Sequence, residues 1–391
     1  MKASSKVCLF ALFMSFVVVS CGNKKSDPNN SSTKTVSIER ASLEKINLID
    51  MKDCVDSVRL IRLQTTNENH IAGIADLFFT DSVIIAVDAI TESVHFFDLN
   101  GNYSHSICKK GSGPGEYINI SRLMVDAPSK KILVYDTDQR KLIKYDFYGN
   151  HIQSISNFSD GKLCRDILLQ PDGSFVCYAQ DYKKIDKYNG GLWLVDENGK
   201  FVKFIYKTDA QYPFVFSNNW YHLYSMPNGE VGFVDQNQTS IYRLKDGALH
   251  TCFSYKLPGK VASDFKGIEF PDEVFFQIMI NQEKGGFIFT DWAADNNSGF
   301  STVINKKTGE IQVGVAYNPI VGKYFIPGGN QLRNNTFNIH TSWMHPKSLL
   351  PYLDEKVPEL IRNIAKEMLD GLSDKEIQEG NPILQLLYIK N

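Results

Sequence analysis

The chain has 391 residues, with 42 Lys and Arg against 44 Asp and Glu and a formal net charge of −2. So even a balance lacks the electrostatic footprint of a nucleic-acid backbone binder, and no nucleic-acid partner is expected. Hydrophobic residues at 43% and charged residues at 22% fit a globular chain with a sizeable core and exclude wholesale disorder.

The first element in the chain is an address. Lys2 and Lys6 flank the start of an apolar run, residues 7–19 (VCLFALFMSFVVV), which is too short to span a bilayer, since a helix needs about 20 residues for that. Residues 1–20 therefore read as a signal peptide. Val18-Val19-Ser20-Cys21 resembles a bacterial lipobox, in which Cys21 would be lipidated and become the first residue of the mature chain. The alternatives are an ordinary signal peptide that carries a cysteine, or an uncleaved anchor. The stretch GNKKSDPNNSSTKT that follows is polar throughout, so 21–50 is expected to be a tether. A lipid on Cys21 implies a membrane partner and a place in the bacterial cell envelope, on the outer membrane. Lys24 and Lys25 follow Cys21 rather than an acidic run, which leaves the periplasmic and surface sides both open. Beyond the signal, Cys54, Cys108, Cys164, Cys177 and Cys252 are odd in number with no CxxC pair. The spacing suits neither a disulfide framework nor a zinc site, and buried free thiols are expected.

From 51 onward the chain repeats a phrase: an apolar or aromatic strand, a polar residue, then Gly. The phrase ends at Gly101, Gly149, Gly199, Gly247 and Gly309, in steps of 48, 50, 48 and 62. Asn-Gly and Asp-Gly tips supply the positive φ of tight hairpins. Around them, segments such as SVIIAVDAITESVHFFD and KILVYDTDQRKLIKYD alternate with period two. Four short strands per unit of about fifty residues is the blade of a β-propeller. The units fall near 75–108, 120–157, 163–207, 220–257 and 274–317, with an irregular sixth over 323–391. The expected fold is all-β: a six-bladed propeller over 51–391 with a small C-terminal helical insertion at about 347–379. A β-sandwich or two smaller β-domains is the competing architecture. Residues 55–63 (VDSVRLIRL) and 383–389 (ILQLLYI) are strands that can pair and close the ring, which would protect exposed strand edges. Within the sixth unit, PELIRNIAKEML has an amphipathic helical pattern ending at Gly371, and Ser373 with Glu376 forms a capping box.

Gly111, Gly113, Pro114, Gly115, Glu116 and Tyr117 form the motif GSGPGEY together with Ser112. Glycine freedom and a stiff proline suit a connection from the outer strand of one blade to the inner strand of the next. A phosphate cradle would need a helix start and a following Lys-Ser/Thr, and neither follows. This motif, with Val125-Asp126, Val134-Tyr135-Asp136 and Tyr145-Asp146, resembles an NHL-type repeat. Together with the lipobox, the helical insert and the terminus Asn381-Pro382-Ile383-Leu384, it resembles the six-bladed propeller lipoproteins of Bacteroidota. The resemblance implies a fold and an address and no agreed activity.

A polar residue opens the inner strand of successive units: Asp76, Arg122, Asp166, His222 and Gln277, with His340 a weaker sixth. A ring would bring them round one channel as ligand contacts, or as ion pairs that balance buried charge. Asp76, Asp166 and His222 are acceptable ligands for a cation, and Arg122 could hold a carboxylate. No cofactor is expected, although a channel metal remains an option. Catalytic patterns such as HExxH and GxSxG are absent. The leading functional reading is a non-enzymatic envelope module that binds a small molecule, a glycan or an envelope protein. A metal-assisted lyase or lactonase with its site at the channel, and a structural subunit of an envelope complex, are the alternatives.

Overall fold

Alternating strands with Gly-bearing hairpin tips build six antiparallel sheets. The structure, a computed structural model, describes residues 34–37, 48–179, 190–207, 222–234, 240–256, 260–261, 275–294, 299–317, 331–332, 336, 338–357 and 359–391. The expected signal peptide and Cys21 lie outside the described residues. Blade 1 is Ile74–Phe79, Val83–Asp88, Ser93–Asp98 and Tyr103–Ile107. Blade 2 is Arg122–Asp126, Lys131–Asp136, Lys141–Asp146 and His151–Ile155. Blade 3 is Asp166–Leu169, Phe175–Ala179, Gly191–Val195 and Phe201–Lys207. Blade 4 runs through Leu223–Ser225, Val231–Val234, Ser240–Lys245 and Ala248–Lys256. Blade 5 runs through Phe275–Lys284, Phe287–Ala294, Gly299–Asn305 and Ile311–Tyr317, with Lys260–Val261 added beside its first strand.

Blade 6 is composite. Gln331–Leu332, Ile339–Met344 and Ile383–Ile389 come from the end of the chain, and its outermost strand, Val55–Arg62, comes from the beginning. The pairing is antiparallel, with Leu384 opposite Ile61 and Leu386 opposite Arg59. The expected closure is thus present. Asn381 reinforces it from a buried position. Its side chain accepts from the Ile71 amide (2.8 Å) and donates to the Gln64 and Asn69 carbonyls (3.0 and 2.9 Å). This explains the asparagine of the Asn381-Pro382 terminus: it ties the last blade to the segment entering the first.

Part of the stretch expected as tether is also paired. Lys34–Ser37 adds in parallel to Ala248–Lys256 of blade 4, and Leu48–Asp50 adds in parallel to Ile311–Tyr317 of blade 5. The polar composition that suggested a tether ends before Val36. Ile49 and Met51 are buried against Phe287, Phe289 and Leu387, which gives this segment a reason to dock. The incoming chain therefore crosses the outer edges of blades 4 and 5 before it becomes the outer strand of blade 6, and in doing so covers strand edges that would otherwise be open.

The core lies between blades, and strand alternation divides it. Ile85 and Val87 of blade 1 pack with Leu123, Val134 and Tyr145 of blade 2, while Ile84 and Ala86 turn the other way, toward Leu384 and Leu386 of blade 6. In blade 2, Leu133 and Tyr135 face Phe175 and Trp193 of blade 3. Tyr178 and Leu192 of blade 3 meet Leu223 and Phe233 of blade 4. Between blades 4 and 5 the described contacts include a buried charged cluster. The Glu283 carboxylate accepts from Tyr224 Oη, from Arg243 Nη2 at 2.6 Å, and from Lys306 Nζ at 2.7 Å. Burial favours the neutral acid, but Arg243 and Lys306 outweigh it and hold Glu283 below its usual range.

Two helices, α1 (Glu359–Leu369) and α2 (Asp374–Glu379), form the insertion. Ala365 and Leu369 of α1 are buried with Leu349 and Ile383, so the helix packs on blade 6. The Arg62 guanidinium donates to the Met368 and Asp370 carbonyls at the end of α1 (3.3 and 2.7 Å), where the helix leaves carbonyls without helical partners. Ser373 and Glu376 form the capping box of α2.

All five tip glycines have positive φ, from 75° to 88°. At Gly101 a Cβ would also overlap the Arg62 carbonyl oxygen of the closing strand, whereas at Gly229, with φ +79°, nothing lies within 4 Å. Gly229→Ala should therefore cost about 1 kcal/mol, from backbone strain alone. Gly101→Ala should lower the thermal unfolding midpoint substantially further. Equal shifts would show that the blade 1 tip does not press on the closing strand.

Candidate functional site

Sheet register decides whether the polar residues at strand starts are equivalent. Leu77, Leu123, Ile167 and Leu223 pair with Ala86, Val134, Cys177 and Phe233 of their own blades. The residues just before them, Asp76, Arg122, Asp166 and His222, therefore occupy one position in blades 1 to 4. All four are buried. Gln277 departs from this pattern. Its strand runs for ten residues, Phe275–Lys284, and Gln277 pairs with Ala293, farther from the hairpin turn than the other four are from theirs. The Gln277 side chain lies outside the described residues. His340 is on the second strand of blade 6, opposite Leu387, and not on the innermost one.

The bonds made by this ring run from blade to blade. Arg122 Nε lies 3.4 Å from Asp166 Oδ1. Asp166 Oδ2 accepts the backbone amides of His222 and Leu223 (2.7 and 2.8 Å), and Oδ1 accepts that of Ile167 (3.0 Å). One carboxylate therefore holds blades 2, 3 and 4 together. His222 Nδ1 donates to the Val234 carbonyl (2.8 Å), and its ring packs on Tyr178. Burial lowers its pKa to about 4, with the Asp166 charge acting in opposition, so the ring is neutral at neutral pH. Among the described residues, no three His, Cys, Asp or Glu side chains gather as a metal-ligand set. His222 meets the Asp166 carboxylate through its backbone amide, while its ring Nδ1 is engaged by the Val234 carbonyl.

The GSGPGEY segment does connect the outer strand of blade 1, Tyr103–Ile107, to the inner strand of blade 2, Arg122–Asp126. Tyr117 is fully buried. Its amide donates to the Lys109 carbonyl (2.9 Å), and the Gly111 amide donates back to the Tyr117 carbonyl (2.9 Å). Glu116 Oε2 accepts the Gly113 amide at 2.9 Å, and its carboxylate fills the space a Cβ on Gly111 would need. Three successive carbonyls are bonded by blade 2 side chains: Gly113 by Lys141 Nζ (2.9 Å), Pro114 by Ser154 Oγ, and Gly115 by Tyr145 Oη (2.9 Å). The loop is thus fixed to blade 2 at each step.

The fixed loop walls an open cleft of about 580 Å³. Gly113 to Glu116 and Lys109 form one side, and Tyr145, Gly149, Asn150 and His151 form the other. Lys109, Glu116, Asn150 and His151 are exposed there. The sequence reading picked out the loop but not its supports Lys141, Tyr145 and Ser154, nor His151. Only Tyr145 carried a signal, as the aromatic of the repeat phrase. A second cleft, of about 570 Å³, lies between the closing strand, the blade 1 tip and α1, and includes Arg59, Arg62, Asn102 and Glu367.

The five described cysteines are unbridged. Cys54, Cys164 and Cys177 are buried as expected, whereas Cys108 and Cys252 are exposed. No described helix is long and apolar enough to cross a membrane.

Comparison with known proteins places this geometry. A family model described as a domain of unknown function, DUF4934, matches residues 33–388. No curated protein is significantly similar in sequence. Among solved structures, a Bacteroides fragilis NCTC 9343 protein assigned to the exported class superposes with a TM-score of 0.68 at 16% identity, covering 92% of this chain and 100% of its own. A DUF4221 member from Bacteroides vulgatus ATCC 8482 reaches 0.48 at 11% identity over 86% of this chain and 97% of its own. Virginiamycin B lyase of Staphylococcus aureus reaches 0.40 at 10% identity over 70% and 84%. The first of these likenesses, at a TM-score of 0.68, speaks to fold.

Removing the Asp166 carboxylate takes away the partner that Arg122 and three backbone amides share. Asp166→Ala should lose about 3–5 kcal/mol of stability, and Asp166→Asn, which keeps an acceptor oxygen, should lose less. His222 binds its proton more weakly folded than unfolded, so the stability it contributes is present above its ordinary value of 6.5 and is lost as pH falls toward about 4. Urea unfolding between pH 7 and pH 4 should show this decline, and His222→Phe should make it shallower, leaving the share of His340, which burial also holds low. An unchanged slope in His222→Phe would contradict the assignment.

Proposed function

Because the chain belongs to the DUF4934 family, we propose a function from its geometry: an exported, lipid-anchored propeller that binds a ligand or partner without transforming it. The observation that carries this reading is the Gly113–Tyr117 loop, which blade 2 side chains hold in place beside an open polar cleft. Binding to a preformed site avoids the cost of ordering a loop. The axial residues support the same reading, since Asp166 and Arg122 are engaged in joining blades. A neighbour of the same fold is assigned to the exported class, in keeping with the signal peptide and the Cys21 lipobox. Lipid on Cys21 would supply location at the outer membrane, and the cleft would supply recognition.

Two measurements test this. Wild-type protein should partition with membranes and incorporate labelled fatty acid, and Cys21→Ser should do neither. A ligand screen read by thermal unfolding should find a compound that raises the midpoint with no product formed, since ligand at 100 times its Kd stabilises by about 2.7 kcal/mol. Turnover of a stabilising compound would overturn the non-enzymatic reading.

A further inference from the structure

The strand that closes the ring also presents an edge. In an antiparallel pair, alternate residues turn their backbone groups to the partner strand, and those between turn them away. The Leu63 amide donates to the Pro382 carbonyl (3.2 Å). Ile61 and Arg59 therefore bond to Ile383–Ile389 in the same way, while Leu60 and Val58 direct their N–H and C=O groups outward. Among the described residues, Val55–Arg62 is the last strand of its sheet. Blades 4 and 5 differ, since the outer strand of each carries one further strand, added in parallel by the entering chain. An uncovered edge is a template for pairing with another chain.

This edge is recessed. Residues 59–65 line the cleft of about 570 Å³, between the blade 1 tip and the helical insertion. The tip already bonds to the edge at one point, where the Gly101 carbonyl accepts the Gln64 amide (2.8 Å). The two walls differ in chemistry. Toward blade 1, Arg59 is exposed, and its Nη2 donates to the Leu99 carbonyl (2.9 Å). That bond anchors the guanidinium, whose further N–H groups suit a carboxylate. Toward the insertion, Met368 and Leu372 are half-buried and Glu367 is exposed, so this wall offers apolar contact and repels a second carboxylate. Glu376 on the same wall is committed to capping α2 through Ser373.

We propose that this cleft takes an extended segment of a partner protein as an added strand, with acidic and apolar side chains alternating along it. Successive side chains of a strand point to opposite sides. Acidic ones meet Arg59, and apolar ones meet Met368 and Leu372. Main-chain bonds to Leu60 supply affinity, and the two walls supply specificity. The walls also select the occupant. A single strand fits between them, whereas a second copy of this chain would bring its own tip and insertion against them before the two edges met. This site is separate from the cleft at the Gly113–Tyr117 loop and does not depend on it.

Fluorescence anisotropy of the purified full-length protein with two labelled peptides tests it: Glu-Val-Glu-Leu-Glu-Val-Glu, and the same peptide with Lys in place of Glu. The acidic peptide should bind at least about tenfold more tightly than the basic one. N-methylation of its Glu amides, or of its Val and Leu amides, blocks one edge of the peptide strand. One of these two sets should abolish binding, and the other should leave it within about threefold. Arg59→Glu should reverse the preference between the two peptides, which a misfolded variant could not do. No binding of the acidic peptide, equal binding of both, or equal effects of the two methylation sets would overturn the proposal. So would a wild-type dimer in sedimentation that Arg59→Glu dissolves, since the edge would then belong to a second copy.

Discussion

The pairing of Val55–Arg62 with Ile383–Ile389 is the interaction on which the molecule depends. A propeller has no single central core, and each blade is stable because both of its faces are covered by neighbours. An open ring would leave one face of blade 6 and one of blade 1 to water, including Leu384, Leu386, Ile84 and Phe97, all now buried in one cluster. Closing a loop of more than three hundred residues costs conformational entropy that grows only slowly with length. A full strand ladder, the Asn381 hydrogen bonds and that cluster together offset it. The same segment carries the parallel additions to blades 4 and 5, so the chain's entry half-encircles the ring before locking it.

This architecture distributes polar chemistry in a particular way. At the axis, blades meet at their narrow ends, where apolar side chains cannot fill the space without exposing strand-end amides. Asp166 satisfies three such amides and one guanidinium, and in doing so links three blades. The Glu283 cluster does comparable work between blades 4 and 5. Buried groups of this kind are costly to break, because removing one partner leaves the others stranded away from water. Recognition then falls to the connections between blades, which can vary without disturbing the ring. The GSGPGEY loop is a connection of this type, made rigid by Lys141, Ser154 and Tyr145.

Much of the ring was legible because blades repeat. Tip glycines at near-constant spacing marked the hairpins, and the polar residue before each inner strand marked an equivalent position in four blades. What each of those residues bonds was not legible, since Asp166 finds its partners in Arg122, forty-four positions before it, and His222, fifty-six positions after it, in adjacent blades. Gln277 was aligned by sequence with the others, but a strand longer than its counterparts shifted it. The short parallel strands at Lys34–Ser37 and Leu48–Asp50 gave no alternation to read, because three or four residues cannot establish a period.

Hydrogen exchange of the full-length protein, resolved by segment, tests the closed ring most directly. Amides of Val55–Arg62 that face Ile383–Ile389 should exchange as slowly as those of that strand, and both should become labile together as denaturant is raised, because the two strands open only as one unit. Rapid exchange across Val55–Arg62 while Ile383–Ile389 stays protected would contradict closure of the ring by the N-terminal strand.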